Sequence, residues 1–283
     1  MVHINTPPKI SVIVAVLNGK ATLQRCIDSI VRQTFHKWEI IAMDGGSADG
    51  TVDILKANDD SIAYWESEPD RGIYHAWNKA LGHVKGEWIC FMGADDFFWN
   101  SEVLEKMVPY LEREAARTRI VYGRVNVLSE NGNLLGQYGR PWGQIRRSFR
   151  ELASIPHQGV FHHHSLFDVH GKFDESLCIA GDYELLLREL KEGHAVFVPD
   201  IEVAGMQHGG VSSDPIYSLQ ALREIGRAAK KHEVGGLRLR WRWVYTKAYV
   251  RWLLKCVFGE SFAGRITDIY RQLTNRVPLG RVR

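Results

Sequence analysis

The chain has 283 residues, 45% of them hydrophobic and 24% charged, with a formal net charge of +3. That composition supports a real core and excludes a disordered or low-complexity protein. No apolar stretch approaches the roughly 20 residues that span a bilayer, and no basic-then-apolar leader opens the chain. Neither GxGxxG nor a Walker A run occurs, which argues against a dinucleotide dehydrogenase or an ATPase. Cys26, Cys90, Cys178 and Cys256 lack CxxC spacing and read as reduced thiols of a cytosolic protein.

In chain order, the first predicted element is a β-branched strand from Ile10 to Val16 that breaks at Asn18-Gly19. Ala21 to Gln33 follows with helical spacing, placing Leu23, Cys26, Ile27, Ile30 and Val31 on one face. A second strand, from Trp38, ends at Asp44, then Gly45-Gly46-Ser47 turns the chain toward a helix near Thr51. A carboxylate at such a strand end can accept from a ribose hydroxyl or a base N–H, and flexible glycines let backbone approach a flat ligand. The alternative is that Asp44 and Ser47 merely build the turn and cap the helix. Asp70 and Arg71 lie in the loop entering a helix near Ile73; the cation there could meet a phosphate or pair with an acid.

The most informative stretch is Glu87 to Asp96, where an apolar strand ends at Gly93 and delivers Asp95 and Asp96. Ligands of open α/β sheets bind at the carboxyl edge of the strands. Two adjacent acids repel one another, and an oxygen-only donor set favours Mg²⁺ or Mn²⁺. Further on, Ile120–Gly123 and Val125–Leu128 read as two strands, with Glu130-Asn131-Gly132-Asn133 as a hairpin turn. Gln137 to Arg150 reads as a polar mobile loop near acceptor or diphosphate. His162-His163-His164 does not make a zinc set, because alternate strand residues face opposite ways and no Cys or third ligand is near. Asp182 and Tyr183 fall at the start of a helix whose Leu185, Leu186 and Leu190 face a core, and Asp182 there is favoured by the helix dipole.

Taken together, these motifs resemble the inverting glycosyltransferases of family 2, of the type that assembles bacterial surface polysaccharides. The matching residues are Val16-Leu17-Asn18, Asp44 to Thr51, Asp70-Arg71-Gly72, Asp95-Asp96, Pro156-His157-Gln158, Gly171 to Glu175, and Ala180 to Arg188. The resemblance implies an α/β fold of the GT-A kind: a Rossmann-like mixed sheet flanked by helices, over residues 8–215, with a C-terminal helical appendage over 216–283. It implies metal-dependent transfer of a sugar from a nucleotide diphosphate donor, UDP being the commonest, to a glycan or polyprenyl-linked acceptor. The family's Asp-any-Asp metal motif stands here as Ala94-Asp95-Asp96, and its acidic pair before the last helix as Gly181-Asp182.

Carried over residue by residue, the donor site is Val16, Asn18, Asp44, Gly45, Arg71, Gly72 and Asp95. Asp96, Asp95 and His208 hold Mn²⁺ or Mg²⁺, Asp182 is the base, and His157, Gln158 and Tyr183 lie on the acceptor side. Two rival readings share such a sheet edge: a sugar-nucleotide-binding or scaffold protein without turnover, and a nucleotidyltransferase, for which Asn18-Gly19-Lys20 is a thin match.

Charge is uneven. Residues 223–283 hold 15 Lys and Arg against 4 Asp and Glu. Within that tail Trp241, Val244, Tyr245, Ala248, Trp252 and Cys256 share one helical face, with Arg240, Lys247, Arg251 and Lys255 elsewhere around it. A basic helix with an aromatic stripe suits an anionic membrane surface, which implies a peripheral protein at the inner face of the cytoplasmic membrane. The same stripe would also suit packing on the catalytic domain. No nucleic-acid motif accompanies the basic residues.

Overall fold

The computed structural model describes residues 7–129, 131–207, 215–234 and 239–259. Strands β1 (Ile10–Val16), β2 (Trp38–Asp44), β3 (Tyr64–Ser67) and β4 (Trp88–Gly93) run parallel in the order β3-β2-β1-β4. Beyond β4 the sheet turns mixed. There β8 (Val160–His163) is antiparallel to both β4 and β6 (Ile120–Leu128). β9 (Val196–Gln207) runs parallel to β6, and the two-residue β5 (Phe97–Phe98) closes that side. A short β7 (Leu134–Tyr138) pairs with β6.

Both faces of the parallel strands are covered, which is why they read as unbroken apolar runs. Val12, Val14, Ile40, Ala42, Cys90 and Met92 pack under α1 (Leu23–Val31) and α4 (Val103–Glu114). Ile13, Ile41, Met43 and Phe91 face α3 (Ile73–Ala80), α5 (Trp142–Phe149), α6 (Ser165–His170) and α7 (Gly181–Leu190). Register carries the site: Val16 pairs with Asp44, Asp44 with Ser67, and Ala15 with Gly93. Four strand ends therefore meet at one carboxyl edge, as expected of the Rossmann-like half.

Several expectations are corrected. Helix α1 is shorter than the predicted span, and Val31 lies on its exposed side. The two strands predicted around Gly123 are one strand with an irregular register opposite β9. A Cβ at Gly123 would sit 2.7 Å from the Ile201 carbonyl, so the glycine permits close approach and does not end the strand. The predicted mobile loop at 137–150 contains α5, whose Trp142, Ile145 and Phe149 are buried on one face. Burying such side chains stabilises by roughly 1.5–3 kcal/mol each, enough to fix the segment. The expected turn at Glu130–Asn133 is borne by the strand pair β6–β7, with Glu130 outside the described residues.

Helix α8 (Pro215–Lys231) inserts Ile225 and Ala228 into the core beneath α7. It is followed by α9 (Leu239–Phe258), whose Trp241 donates its indole N–H to the Leu222 carbonyl (3.2 Å). Of the predicted stripe, Trp241, Val244, Tyr245, Ala248 and Trp252 are half-buried, while Cys256 is exposed. The exposed side carries Trp243, Tyr249, Val250, Leu253 and Val257. So α9 has two apolar faces, and the face that the spacing singles out is turned inward. Among the described residues, no helix is long and apolar enough to cross a membrane.

Candidate active site

The first two strand ends are stitched into one cradle. Asn18 adopts a left-handed φ of 51°, a conformation Asn tolerates better than most residues. Its side chain accepts the Ala48 N–H (3.1 Å) while its own N–H donates to Ser47 Oγ (2.6 Å). Gly19 N–H donates to Thr51 Oγ1 (2.9 Å), and Lys20 N–H to Asp49 (2.9 Å). The Val16 carbonyl accepts from Gly45 (2.9 Å).

Asp44 is buried and accepts from Gly46 N–H (3.2 Å), Ser47 N–H (2.9 Å), the Ser47 hydroxyl and Ser67 Oγ (2.5 Å). Its carboxylate is committed to building this loop. A Cβ on Gly45 would meet Asp70 at 2.7 Å, so the second and third loops touch there. Leu17, at the rim, is 61% exposed.

Of the two options left open for Arg71, the structure takes the acid. Its guanidinium pairs with Glu175 (2.5 Å), and Asp70 is turned back to accept the Gly72 N–H (2.8 Å). Asn78 of α3 donates to Glu175 (2.9 Å) and to the Phe173 carbonyl (3.0 Å) and accepts the Phe173 N–H (2.9 Å). The Lys172–Glu175 segment is thereby tied to the third loop.

Past β4, Asp95 and Asp96 converge. A Cβ on Gly93 would lie 2.8 Å from an Asp95 oxygen and 3.2 Å from an Asp96 oxygen, so both carboxylates fold over the same point. Asp96 is buried and accepts the Gly93 N–H (3.0 Å). Burial, reinforced by the neighbouring Asp95 charge, pushes its carboxyl up to about 8. Arg25 donates to the Asp95 carbonyl (2.8 Å), and its charge partly offsets the rise of Asp96. A buried acid facing another acid is the setting a divalent cation relieves, so the residues fit the expected ion. Among the described residues no third His, Cys, Asp or Glu joins them, and His208 lies outside those residues.

The chain returns to this edge in a single 3₁₀ turn, His157–Gly159. The Gln158 amide hydrogen-bonds Asp96, while His157 Nδ1 lies 3.9 Å from Asp182 Oδ2. One turn thus touches the metal-side acid with one residue and the predicted base with the next. His157 stacks on Trp77 (5.0 Å between centroids), is 7% exposed, and among the described residues neither ring nitrogen has a hydrogen-bond partner. Burial drives its pKa down to about 3, so the ring is neutral.

Asp182 sits in the first turn of α7, its side chain 27% exposed. It accepts the Tyr74 phenol O–H (3.2 Å). Burial pushes its carboxyl up to about 6, opposed by the Tyr183 N–H and the Tyr74 hydroxyl. Gly181 stands where the family carries an acid, and a Cβ there would lie 2.8–2.9 Å from the Tyr74 ring. The missing acid and the tyrosine on Asp182 are therefore one local solution.

Tyr183 does not reach the acceptor side. One residue on from Asp182 the helix turns it inward, where it is 1% exposed and donates to the Arg150 carbonyl (3.2 Å). Tyr74, from α3, is the tyrosine of the site and was not singled out from sequence; its only signal is a polar-tipped ring on the inner face of α3. The histidine run does not alternate as expected: β8 ends at His163 and His164 is already helical, so these two rings lie 4.6 Å apart between centroids. His162 is buried against Phe91, His163 meets Ser165 and Glu87, and His164 faces Asp168.

The family model described as Glycosyl transferase family 2 matches residues 11–167. A curated relative, the PGL/p-HBAD biosynthesis glycosyltransferase of Mycobacterium bovis (strain BCG / Pasteur 1173P2), is 28% identical over 253 residues. That covers 86% of this chain and 94% of the relative. Among solved structures, the mannosyltransferase PcManGT from Pyrobaculum calidifontis, in complex with GDP-Man and Mn²⁺, has a TM-score of 0.61 at 18% identity. The match covers 97% of this chain and 82% of that one. S. aureus TarS 1-349 in complex with UDP-GlcNAc has a TM-score of 0.60 at 18% identity, covering 78% of this chain and 66% of that one. The chain spans 39% of the longer TarS chain. These likenesses establish the GT-A fold.

Proposed function

The chain belongs to glycosyl transferase family 2, and on that premise we propose that it moves a sugar, with inversion, from a nucleoside diphosphate donor to a hydroxyl of a glycan or polyprenyl-linked acceptor. The observation that carries the reading is the turn His157–Gly159, which sets Asp96 and Asp182 on either side of two consecutive residues. A donor whose diphosphate lies at Asp95 and Asp96 would present its sugar toward Asp182. An acceptor hydroxyl is a weak nucleophile near pH 7, and a carboxylate within hydrogen-bond reach takes its proton as the new bond forms. A single displacement from that side inverts the anomeric centre, and one carboxylate suffices, unlike the paired acids of glycosidases.

Asp182 is suited to the role because Tyr74 orients it and a carboxyl near 6 is ionised yet basic at neutral pH. His157, neutral and buried beside Asp182, would act on the acceptor side through that carboxylate. Asp96 and Asp95 would hold Mn²⁺ or Mg²⁺, which when bound masks the charge of the leaving diphosphate. Asn18, the Gly45-Gly46 backbone and exposed Leu17 would line the base and ribose, with Asp44 acting through the loop it builds. UDP is the favoured donor base, supported by the TarS complex; the GDP-Man complex of the archaeal transferase keeps GDP next. A lipid-linked acceptor at the inner face of the cytoplasmic membrane would be met through α9, which carries five Lys or Arg and no acid and shows an apolar outer face.

The test is a thermal-shift panel of UDP, GDP, dTDP and their sugars, with and without Mn²⁺, on the wild type and Asp96→Asn. Ligands of the native state raise the midpoint by mass action. A shift with one nucleotide that needs both Mn²⁺ and Asp96 is expected. Equal shifts in both proteins would remove Asp96 from the donor site.

A further inference from the structure

Helix α8 reaches the segment that enters α7 through Glu224. Glu224 is 1% exposed. Its carboxylate accepts three successive backbone N–H groups of the segment entering α7: Cys178 (3.1 Å to each oxygen), Ile179 (2.8 Å) and Ala180 (2.9 Å). Gln220 donates to the same carboxylate (3.0 Å), and Arg227 lies 3.9 Å away on the outer side. The first N–H groups of a helix have no partner within it, and the N-cap residue of α7, Ala180, makes no side-chain cap. An anion at a helix start is also favoured by the dipole. A second bundle of contacts locks α8 to α7: Lys231 and His232 bond the fully buried Glu184 at 3.2 and 2.6 Å.

We propose that Glu224 is a positioning residue for Asp182, fixing the Cys178–Ala180 segment so that the carboxylate two residues later stays on Tyr74 and beside His157. The proposal rests on Asp182 being the base and goes further. It makes α8, which lies outside the family-matched span, part of the catalytic apparatus. The groups facing Asp182 are Tyr74 from α3, neutral His157 from the 3₁₀ turn and Glu224 from α8. Of these Glu224 is the acid, and its charge adds to burial in holding the Asp182 carboxyl up.

The experiment compares Glu224→Ala and Glu224→Gln with the wild type in kcat, donor KM, the pH profile of kcat/KM and thermal melting. For Glu224→Ala, kcat is expected to fall on the order of 10²-fold, the scale of a displacement of about 1 Å, with donor KM within about twofold. Glu224→Gln keeps acceptor oxygen but no charge, so its acidic limb should move to lower pH. A purely structural role would lower only the melting midpoint. Wild-type kcat in both folded variants, or an unmoved acidic limb in Glu224→Gln, overturns the proposal. If Glu224→Ala does not fold, that limb alone decides. Asp182→Asn separates the two levels. If it keeps turnover, the base assignment is wrong, whereas an inactive Asp182→Asn beside wild-type-like Glu224 variants refutes the positioning role alone.

Discussion

Replacing Asp182 by Asn should make the protein more stable while removing its chemistry. The carboxyl stands at about 6 in the fold against 3.8 for the ordinary group, chiefly through burial. Between those values the native state holds a proton that the unfolded chain has released. Stability therefore falls as pH rises from about 4 to 6, and the full penalty stands above 6. At about 1.4 kcal/mol per pKa unit the whole displacement is worth about 3 kcal/mol. The side chain is 27% exposed, so solvent screening reduces this to about 1–2 kcal/mol. Asparagine keeps an oxygen for the Tyr74 hydroxyl and carries no charge to bury.

For a chain of this size Asp182→Asn should melt roughly 2–6 °C higher than wild type at pH 8. The difference should vanish below about pH 3, where both states of the wild type are protonated. The assay is paired calorimetric melts across that range. An equal or lower midpoint for Asp182→Asn at pH 8 would refute the claim that burial strains this carboxylate. The same ionisation should give the wild type an acidic limb in kcat/KM near pH 6.

Gly181→Ala places a methyl 2.8–2.9 Å from the Tyr74 ring; overpacking of this kind costs about 1–3 kcal/mol, and turnover should fall about tenfold as Tyr74 shifts from Asp182. Unchanged kinetics would show that Tyr74 does not set the base. Asp96→Asn should stabilise the metal-free protein, since burial and the Asp95 charge raise the acid there, yet abolish the Mn²⁺-dependent part of donor binding, as read by calorimetric titration. The double change Val250→Asp and Leu253→Asp, on the exposed side of α9, should release the protein from anionic phospholipid vesicles in a flotation assay without altering turnover on a water-soluble acceptor. Retention on the vesicles would place membrane contact elsewhere.

Much of the site was legible because it follows from periodicity. Apolar runs ending at Val16, Asp44 and Gly93 had to become adjacent strand ends once both sheet faces were covered. The paired acids after Gly93 could then be placed at that edge, whereas Asp182 was read as the base from the family resemblance, with periodicity agreeing only on its place at the start of α7. Side-chain commitments were less legible. Asp44 offers the same letters whether it binds ribose or builds a turn, and only the positions of Ser47 and Ser67 show that its oxygens are taken. Tyr183 and Tyr74 are both plausible neighbours of Asp182, and the rotation of a helix by one residue decides between them. Glu224 sits 42 residues beyond the acid it supports, in a helix whose inner face reads as ordinary amphipathic sequence. The polar segment 137–150 hid α5 because three apolar residues among many polar ones carry the signal. On α9 two apolar faces compete, and tertiary packing chose between them.

The most direct test of the account is turnover by Asp182→Asn beside the wild type on a productive donor–acceptor pair, with the anomeric configuration of the product read by NMR. The account predicts an inverted product from the wild type. It predicts turnover lower by on the order of 10²-fold or more in Asp182→Asn, with donor binding preserved. A retained configuration, or wild-type turnover without the Asp182 carboxylate, would contradict it.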